Sequence, residues 1–298
     1  MRRKIGLFFG IAVIGALTWY LFIKPYDYVV RFKTKASSGT VNQIIKFWID
    51  QQEDAQFIVQ KEVSDFSHRI RFNDSTFTYH WKVTPINDSL SRVHVYVTDS
   101  THSLANRFAI PFSETVFEKR TKNTIRDAAS VLQEHLNTFK VEVVGKESSP
   151  SKYCACIALK SSQFQKAARM MDYYPVLSKF MAANEIELDG RPMIEIESWN
   201  LKNDSISYNF CFPIVKKDSL PQAEKLIYKQ IKSQKALRAI YNGNYIASDR
   251  AWYELLKYAE RNHINVAAKP LEIFHTNPNM GGNELEWEAE IFMPLREQ

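Results

Sequence analysis

The spacing of hydrophobic residues divides the chain into segments with different periods. Apolar and polar residues alternate over residues 28–34, 77–83 and 93–97, and a period of two predicts half-buried strands. Residues 41–48 carry apolar side chains at helical spacing. From Ser113 to Phe139 a single apolar stripe follows a period of 3.6 and predicts one helix of about 25 residues. Strands enclosed by helices in this order are typical of an α+β domain.

An uncharged apolar run covers residues 5–23. About 20 apolar residues in a helix can cross the hydrocarbon core of a bilayer, and Trp19 and Tyr20 suit its interface. The alternative is a cleaved signal peptide, whose apolar core is shorter. The pattern favours a membrane anchor over residues 1–25. The basic residues before it predict a single-pass protein of the cytoplasmic (inner) membrane, with its N-terminus cytoplasmic and its soluble domains outside.

Residues 26–140 read as a strand, a short helix, antiparallel strands and a long terminal helix. This order resembles the START-like, helix-grip superfamily (SRPBCC, which includes polyketide cyclases). The resemblance implies a curved sheet that wraps the last helix around a cavity. No acid–base pair stands out in this domain, so the resemblance indicates a fold rather than an activity.

Residues 141–298 contain an internal repeat. Residues 174–192 and 252–270 align without a gap at a constant offset. Each copy reads as a strand–helix–strand–strand unit, so the sequence predicts a duplicated α+β domain of pseudo-two-fold symmetry with a ligand cleft between its halves. The identical pairs are Leu177 and Leu255, Lys179 and Lys257, Asn184 and Asn262, Ile186 and Ile264, and Pro192 and Pro270.

The second copy contains four short motifs in succession. They are Tyr-Asn-Gly-Asn-Tyr at 241–245, Trp252, Pro-Leu-Glu-Ile-Phe at 270–274 and Glu-Ile-Phe-Met-Pro at 290–294. This half resembles the gyrase-inhibitor-like (GyrI-like) family, the effector-binding domain of AraC-type and multidrug-responsive activators. The resemblance implies a groove for small, hydrophobic and often cationic molecules, lined by aromatic residues around one buried glutamate. Glu290 is the matching glutamate.

Strand alternation over residues 285–293 turns Glu290 and Phe292 away from the predicted helix and toward the cleft. Asn209 is the counterpart of Glu290 in the first copy, so the cleft would hold one carboxylate. In the alternative interpretation Glu290 only continues an exposed row of glutamates. Trp252 also fits a core stripe, and the strand face of Glu272 stays open. The candidate ligand-binding residues are Glu290, Tyr245, Tyr241, Trp252, Phe292, Asn209 and Glu272.

Composition and charge exclude further classes of ligand. The net charge is +6, but no block of the chain resembles a basic recognition helix or an arginine-rich arm, so the sequence predicts no nucleic-acid partner. Nine glycines in 298 residues leave no glycine-rich loop for a dinucleotide or a nucleotide triphosphate, and we expect no cofactor. The cysteines Cys154, Cys156 and Cys211 are too few for a disulfide framework and lack zinc spacing, so no metal site is expected. Cys154 and Cys156 are predicted to be buried thiols.

Two functions remain open. The first is a membrane-anchored binding protein that senses or sequesters a hydrophobic or cationic organic molecule; no helix-turn-helix pattern precedes the effector-binding half, so direct gene regulation is not implied. The second is suggested by gyrase-inhibitor-like proteins that hydrolyse reactive cyclopropane-type compounds. In that case Glu290 would be the general base and Tyr245 a hydrogen-bond donor. Whether the protein is an enzyme is left open, and as an enzyme it would be a hydrolase.

Overall fold

Two antiparallel sheets organise the chain in the computed structural model, which describes residues 2–87 and 90–296. Over these residues one sheet has five strands and the other has eight. The sheets belong to two units, Met1–Glu134 and His135–Gln298. The mixed α+β class predicted from the periodicity is therefore confirmed.

The chain begins with helix α1 (Arg2–Thr18), followed by a π-helical turn, Trp19–Ile23. The Lys24 N–H donates to the Trp19 carbonyl at 2.8 Å, and Arg107 Nη1 donates to the Leu21 carbonyl at 3.1 Å. Across residues 2–87 and 90–296, no helix combines the length and the apolar character that crossing a membrane requires. The membrane-spanning helix predicted over residues 5–23 is not supported, because the α-helical pattern ends at Thr18.

In the first unit the strands lie in the order β1-β5-β4-β3-β2. The predicted alternation is confirmed, because Tyr79 and Trp81 of β4 are buried together with Val95 of β5. The terminal helix is shorter than predicted, since Phe139 already belongs to the next strand. The elements are β1 (Tyr28–Thr34), α2 (Ser38–Asp50), β2 (Ala55–Glu62), β3 (Asp65–Phe72), β4 (Ser75–Pro85), β5 (Ser91–Asp99), α3 (Ser103–Ala109) and α4 (Val116–Leu136).

The second unit shows the internal repeat directly. Its elements are β6 (Phe139–Ser148), β7 (Lys152–Ser162), α5 (Lys166–Ala183), β8 (Met193–Asn200), β9 (Ser205–Pro213), β10 (Leu226–Ile231), β11 (Lys235–Gly243), α6 (Arg250–Arg261), β12 (Leu271–Phe274) and β13 (Glu288–Pro294). One copy is β7-α5-β8-β9 and the other is β11-α6-β12-β13. The sheet order β10-β7-β9-β8-β12-β13-β11-β6 relates the copies by a pseudo-two-fold rotation, and they meet at β8 and β12. The predicted duplication is thus present in the fold.

Strand register decides which side chains face the helices. Glu272 pairs with Ile291, and Ile273 pairs with Glu290, so these two pairs lie on opposite faces of the sheet. Trp252 of α6 donates its indole N–H to Glu272, which places the helices on the Glu272 face. Glu290 therefore points away from α6, as its strand alternation predicts. The predicted strand 285–293 is shorter in the structure, because Glu284–Glu286 form a 3₁₀ turn before β13.

The cysteines differ from the prediction. Cys156 of β7 and Cys211 of β9 stand directly opposite each other and form a disulfide. Cys154 remains a buried free thiol, and burial raises its pKa to about 12. The expectation of two thiols on β7 was wrong for Cys156, because strand pairing between distant segments cannot be read from cysteine spacing.

Candidate functional site

A groove of about 450 Å³ lies in the second unit, between α5 and residues 274–279, which follow β12. This volume is in the range of small-molecule sites. Both copies of the repeat contribute to its walls, so it occupies the position predicted for the cleft. The large apolar side chains that line it include Phe164, Met171, Tyr174, Phe210, Phe274 and Trp287.

Tyr245 lines the groove and is held firmly in place. It begins a 3₁₀ turn whose preceding residue, Asn244, accepts a hydrogen bond from the Ile246 N–H through its side chain. The phenol hydroxyl donates to the Glu288 carbonyl at 2.7 Å and accepts from the Thr276 N–H at 3.1 Å. Burial raises the pKa of this phenol. Its hydroxyl is thus engaged by the backbone, and what it offers to a ligand is the ring.

The ionisable side chains of the lining, apart from tyrosines, are Arg191 and His275; no carboxylate belongs to it among the described residues. Arg191 is exposed and lies just before β8. His275 follows β12, and its Nε2 lies 3.0 Å from Glu290 Oε2. The groove therefore has an aromatic interior and polar groups of neutral or positive character.

Glu290 is not part of the lining. It lies next to His275 on the face of the sheet away from the helices, and it is bound by Arg238 of β11. Arg238 also contacts Glu147 at 3.1 Å. The carboxylate predicted to meet the ligand is instead the centre of a small ion-pair network, and its role in binding stays a prediction.

Glu272 forms a buried ion pair on the helix side of the sheet. Its Oε2 accepts from Lys166 Nζ at 2.5 Å, and both side chains are fully buried. Its Oε1 accepts from the Trp252 indole N–H at 2.7 Å and from the Ser248 hydroxyl at 3.0 Å. Lys166 Nζ also donates to Ser248 Oγ at 2.7 Å and lies 4.6 Å from the centre of a Trp252 ring. Each charge is matched by hydrogen bonds, as a buried pair requires.

The pair of Lys166 and Glu272 lies beside residues that line the groove, both along the chain and on the same face of the sheet. Ala167, next to Lys166, lines the groove, as does Phe274, which shares a strand face with Glu272. Lys166 was not among the candidates predicted from the sequence. It could have been recognised because it lies on the apolar stripe of α5, together with Met170 and Leu177, where a charged residue is unusual.

The remaining predicted site residues lie in the interior, away from the groove lining. Tyr241 is buried and donates to the Asn244 carbonyl at 2.7 Å. The Trp252 ring packs edge-on against Trp199 at 5.0 Å. Asn209 is buried and donates its amide to two carboxylates on β8. Phe292 belongs to the apolar cluster around the disulfide. Of the seven candidates, Tyr245 is the one found in the lining among the described residues.

No known protein family matches the sequence of this chain, and no curated protein does so. Several solved structures are similar at low identity. The EcmrR C-terminal domain is 18% identical over 54% of this chain and 99% of its own, with a TM-score of 0.44. SAV2435 bound to tetraphenylphosphonium is 15% identical over 53% and 93%, with a TM-score of 0.35. A hydrolase from Listeria innocua is 11% identical over 55% and 98%, with a TM-score of 0.31. These values assign neither a family nor a function, so the gyrase-inhibitor-like resemblance stays a prediction.

Proposed function

We propose that the second unit binds one small apolar or aromatic organic molecule in the groove between its two repeats. The observation that carries this proposal is a groove of about 450 Å³ with aromatic walls supplied by both copies. Most ligand sites in proteins are concave, mainly apolar and provided with a few polar groups that orient the ligand. The groove meets this description, with Asn244, Thr276 and Asn277 among its polar residues.

The aromatic walls are preorganised. The Tyr245 ring lies 4.7 Å from the Phe274 ring and 6.0 Å from the Trp287 ring, measured between centroids. The Trp287 indole N–H donates to the Gly281 carbonyl at 3.2 Å. Side chains already held in place lose little conformational entropy when a ligand binds. Burying about 200 Å² of apolar ligand surface against them would contribute about 5 kcal/mol before the cost of association.

A substitution that fills the groove tests this proposal. Ala168 lies in the lining and is exposed on α5, so Ala168→Trp should fill the groove without disturbing the core. Ala182 is exposed on the same helix but away from the groove, and Ala182→Trp is the matched control. Binding of naphthalene-2-methanol, an uncharged aromatic probe, is measured by calorimetry on the full chain. We expect one site that is lost in Ala168→Trp and kept in Ala182→Trp; no binding to the unmodified protein would refute the proposal.

Hydrolysis is a second candidate, favoured by the pairing of His275 with Glu290. A carboxylate that orients an imidazole is a common arrangement for a general base, and His275 belongs to the lining. Glu290 would then position the base instead of acting as one. Conversion of an electrophilic substrate that disappears in His275→Gln, with naphthalene-2-methanol binding unchanged, would support this function. Turnover that survives His275→Gln would contradict it.

We also propose that the second unit functions in an oxidising compartment. The support is the disulfide between Cys156 and Cys211, since disulfides persist in the periplasm and other extracytoplasmic spaces and are rare in the cytosol. Protein alkylated during cell lysis and then denatured should expose one titratable thiol, Cys154. Three reactive thiols would contradict this location.

A further inference from the structure

The charges around the groove identify the class of ligand more closely. A cation would need an uncompensated carboxylate, or at least a surplus of negative charge, near the aromatic walls. Of the glutamates close to this site, Glu272 and Glu290 do not supply that surplus. Glu284 lies outside the lining, and its Oε1 accepts a hydrogen bond from the Asn244 amide at 2.7 Å.

Glu272 is neutralised from within the protein. Lys166 occupies the position that a cationic ligand would need, with its Nζ 2.5 Å from the carboxylate and 4.6 Å from the centre of a Trp252 ring. A ligand ammonium group could replace it only by leaving the lysine buried and unpaired, which is strongly unfavourable. The combination of carboxylate and aromatic ring that would attract an organic cation is therefore already filled.

Glu290 is neutralised as well. Arg238 binds one of its carboxylate oxygens, and His275 lies 3.0 Å from the other. Its side chain is 19% exposed, and the residue stays outside the lining. Any negative field that it exerts on the groove is reduced by these two contacts.

Arg191 differs from these two glutamates, because no ion pair among the described residues compensates its charge. It lines the groove and is exposed, and the described part of the chain provides its guanidinium with no ion-pair partner. The nearest acid in sequence, Asp189, is engaged by Lys152 at 2.9 Å. Gly190 has a φ of +145°, a conformation that side-chain-bearing residues rarely adopt, and Pro192 follows Arg191. The arginine is thus carried on a restrained turn at the groove, with its donors available.

We infer that the groove selects an apolar or aromatic molecule that carries a carboxylate, with Arg191 as the recognition residue, and disfavours organic cations. A guanidinium offers two parallel N–H donors that match the two oxygens of a carboxylate. The aromatic walls would hold the apolar body and Arg191 the anionic end. This inference rests on the proposed binding function and adds the charge of the ligand to it.

Three probes of the same shape test the inference on the full chain. They are naphthalene-2-carboxylate, naphthalene-2-methanol and naphthalene-2-methylammonium, and their affinities are compared by calorimetry at low salt. We expect the carboxylate to bind about fivefold more tightly than the alcohol, a modest factor because Arg191 is exposed to solvent. The ammonium compound should bind more weakly than the alcohol.

Two variants separate a specific contact from the overall charge. Arg191→Gln should abolish the preference for the carboxylate over the alcohol, because glutamine keeps a polar side chain at this position but carries no charge. Arg169→Gln removes the same charge from an exposed position of α5 outside the lining, and it should keep the preference. Tighter binding of the ammonium compound, or an unchanged preference in Arg191→Gln, would overturn the inference while the binding function stands. Failure of all three probes would overturn both.

Discussion

The buried ion pair between Lys166 and Glu272 offers the most direct test of how the second unit is built. In Lys166→Met the apolar stem of the side chain is retained, and only the ammonium group is lost. Glu272 keeps its hydrogen bonds from Trp252 and Ser248, at 2.7 and 3.0 Å, but loses the opposite charge at 2.5 Å. Both side chains are fully buried, so water cannot replace the lost partner. We expect a loss of about 3–5 kcal/mol in the free energy of unfolding of this unit.

The double variant Lys166→Met/Glu272→Gln separates the lost charge from lost packing. Glutamine keeps an acceptor for the Trp252 indole N–H and removes the unpaired charge. Replacing both members of a buried pair is often close to neutral, so the double variant should regain most of the loss and come within about 1–2 kcal/mol of the original protein. Urea denaturation followed by tryptophan fluorescence measures these differences. A loss below about 1 kcal/mol in Lys166→Met, or a double variant no more stable than the single one, would refute the reasoning.

Three further predictions concern other parts of the molecule. Cys211→Ser should lower the stability of the second unit by about 4 kcal/mol in chemical denaturation, because it opens a loop between cysteines 55 residues apart; an unchanged midpoint would contradict this. Burial lowers the pKa of His68 to about 3, below its unfolded value near 6.5, so the buried histidine reduces the stability of the fold as the pH falls from 6.5 toward 3. The melting temperature of His68→Gln should therefore fall less steeply over this interval than that of the original protein, and equal slopes would contradict this prediction. Tyr245→Phe should cost about 1 kcal/mol, for the hydrogen bond to Glu288, yet retain probe binding in calorimetry, whereas lost binding would show that the hydroxyl contacts the ligand.

Local periodicity predicted much of the architecture. Alternation over β4 and β5 identified buried residues such as Tyr79 and Trp81, because a strand buried on one face repeats every two residues. The repeat at constant offset predicted the two copies that meet at β8 and β12. The same alternation correctly predicted that Glu290 faces away from α6.

The sequence predicted less of the ligand site, because this site depends on contacts between distant segments. Lys166 and Glu272 are 106 residues apart, and nothing in either segment shows that they meet. The face of Glu272 could not be assigned from sequence, since β12 is only four residues long and begins after a loop. Glu290 matched a family motif, yet its neighbours Arg238 and His275 make it part of an ion-pair network.

The sequence alone therefore determined the succession of strands and helices, the duplication and the approximate position of a cleft, since all three follow from patterns along the chain. The tertiary structure decided which carboxylates are compensated, which cysteines pair and which cation faces the groove. These properties depend on strand register and on the burial of residues far apart in sequence. A charge acquires its role from the partners that folding places within hydrogen-bond distance of it. Arg191 lines the groove and has no ion-pair partner among the described residues, whereas Lys166 is buried against Glu272.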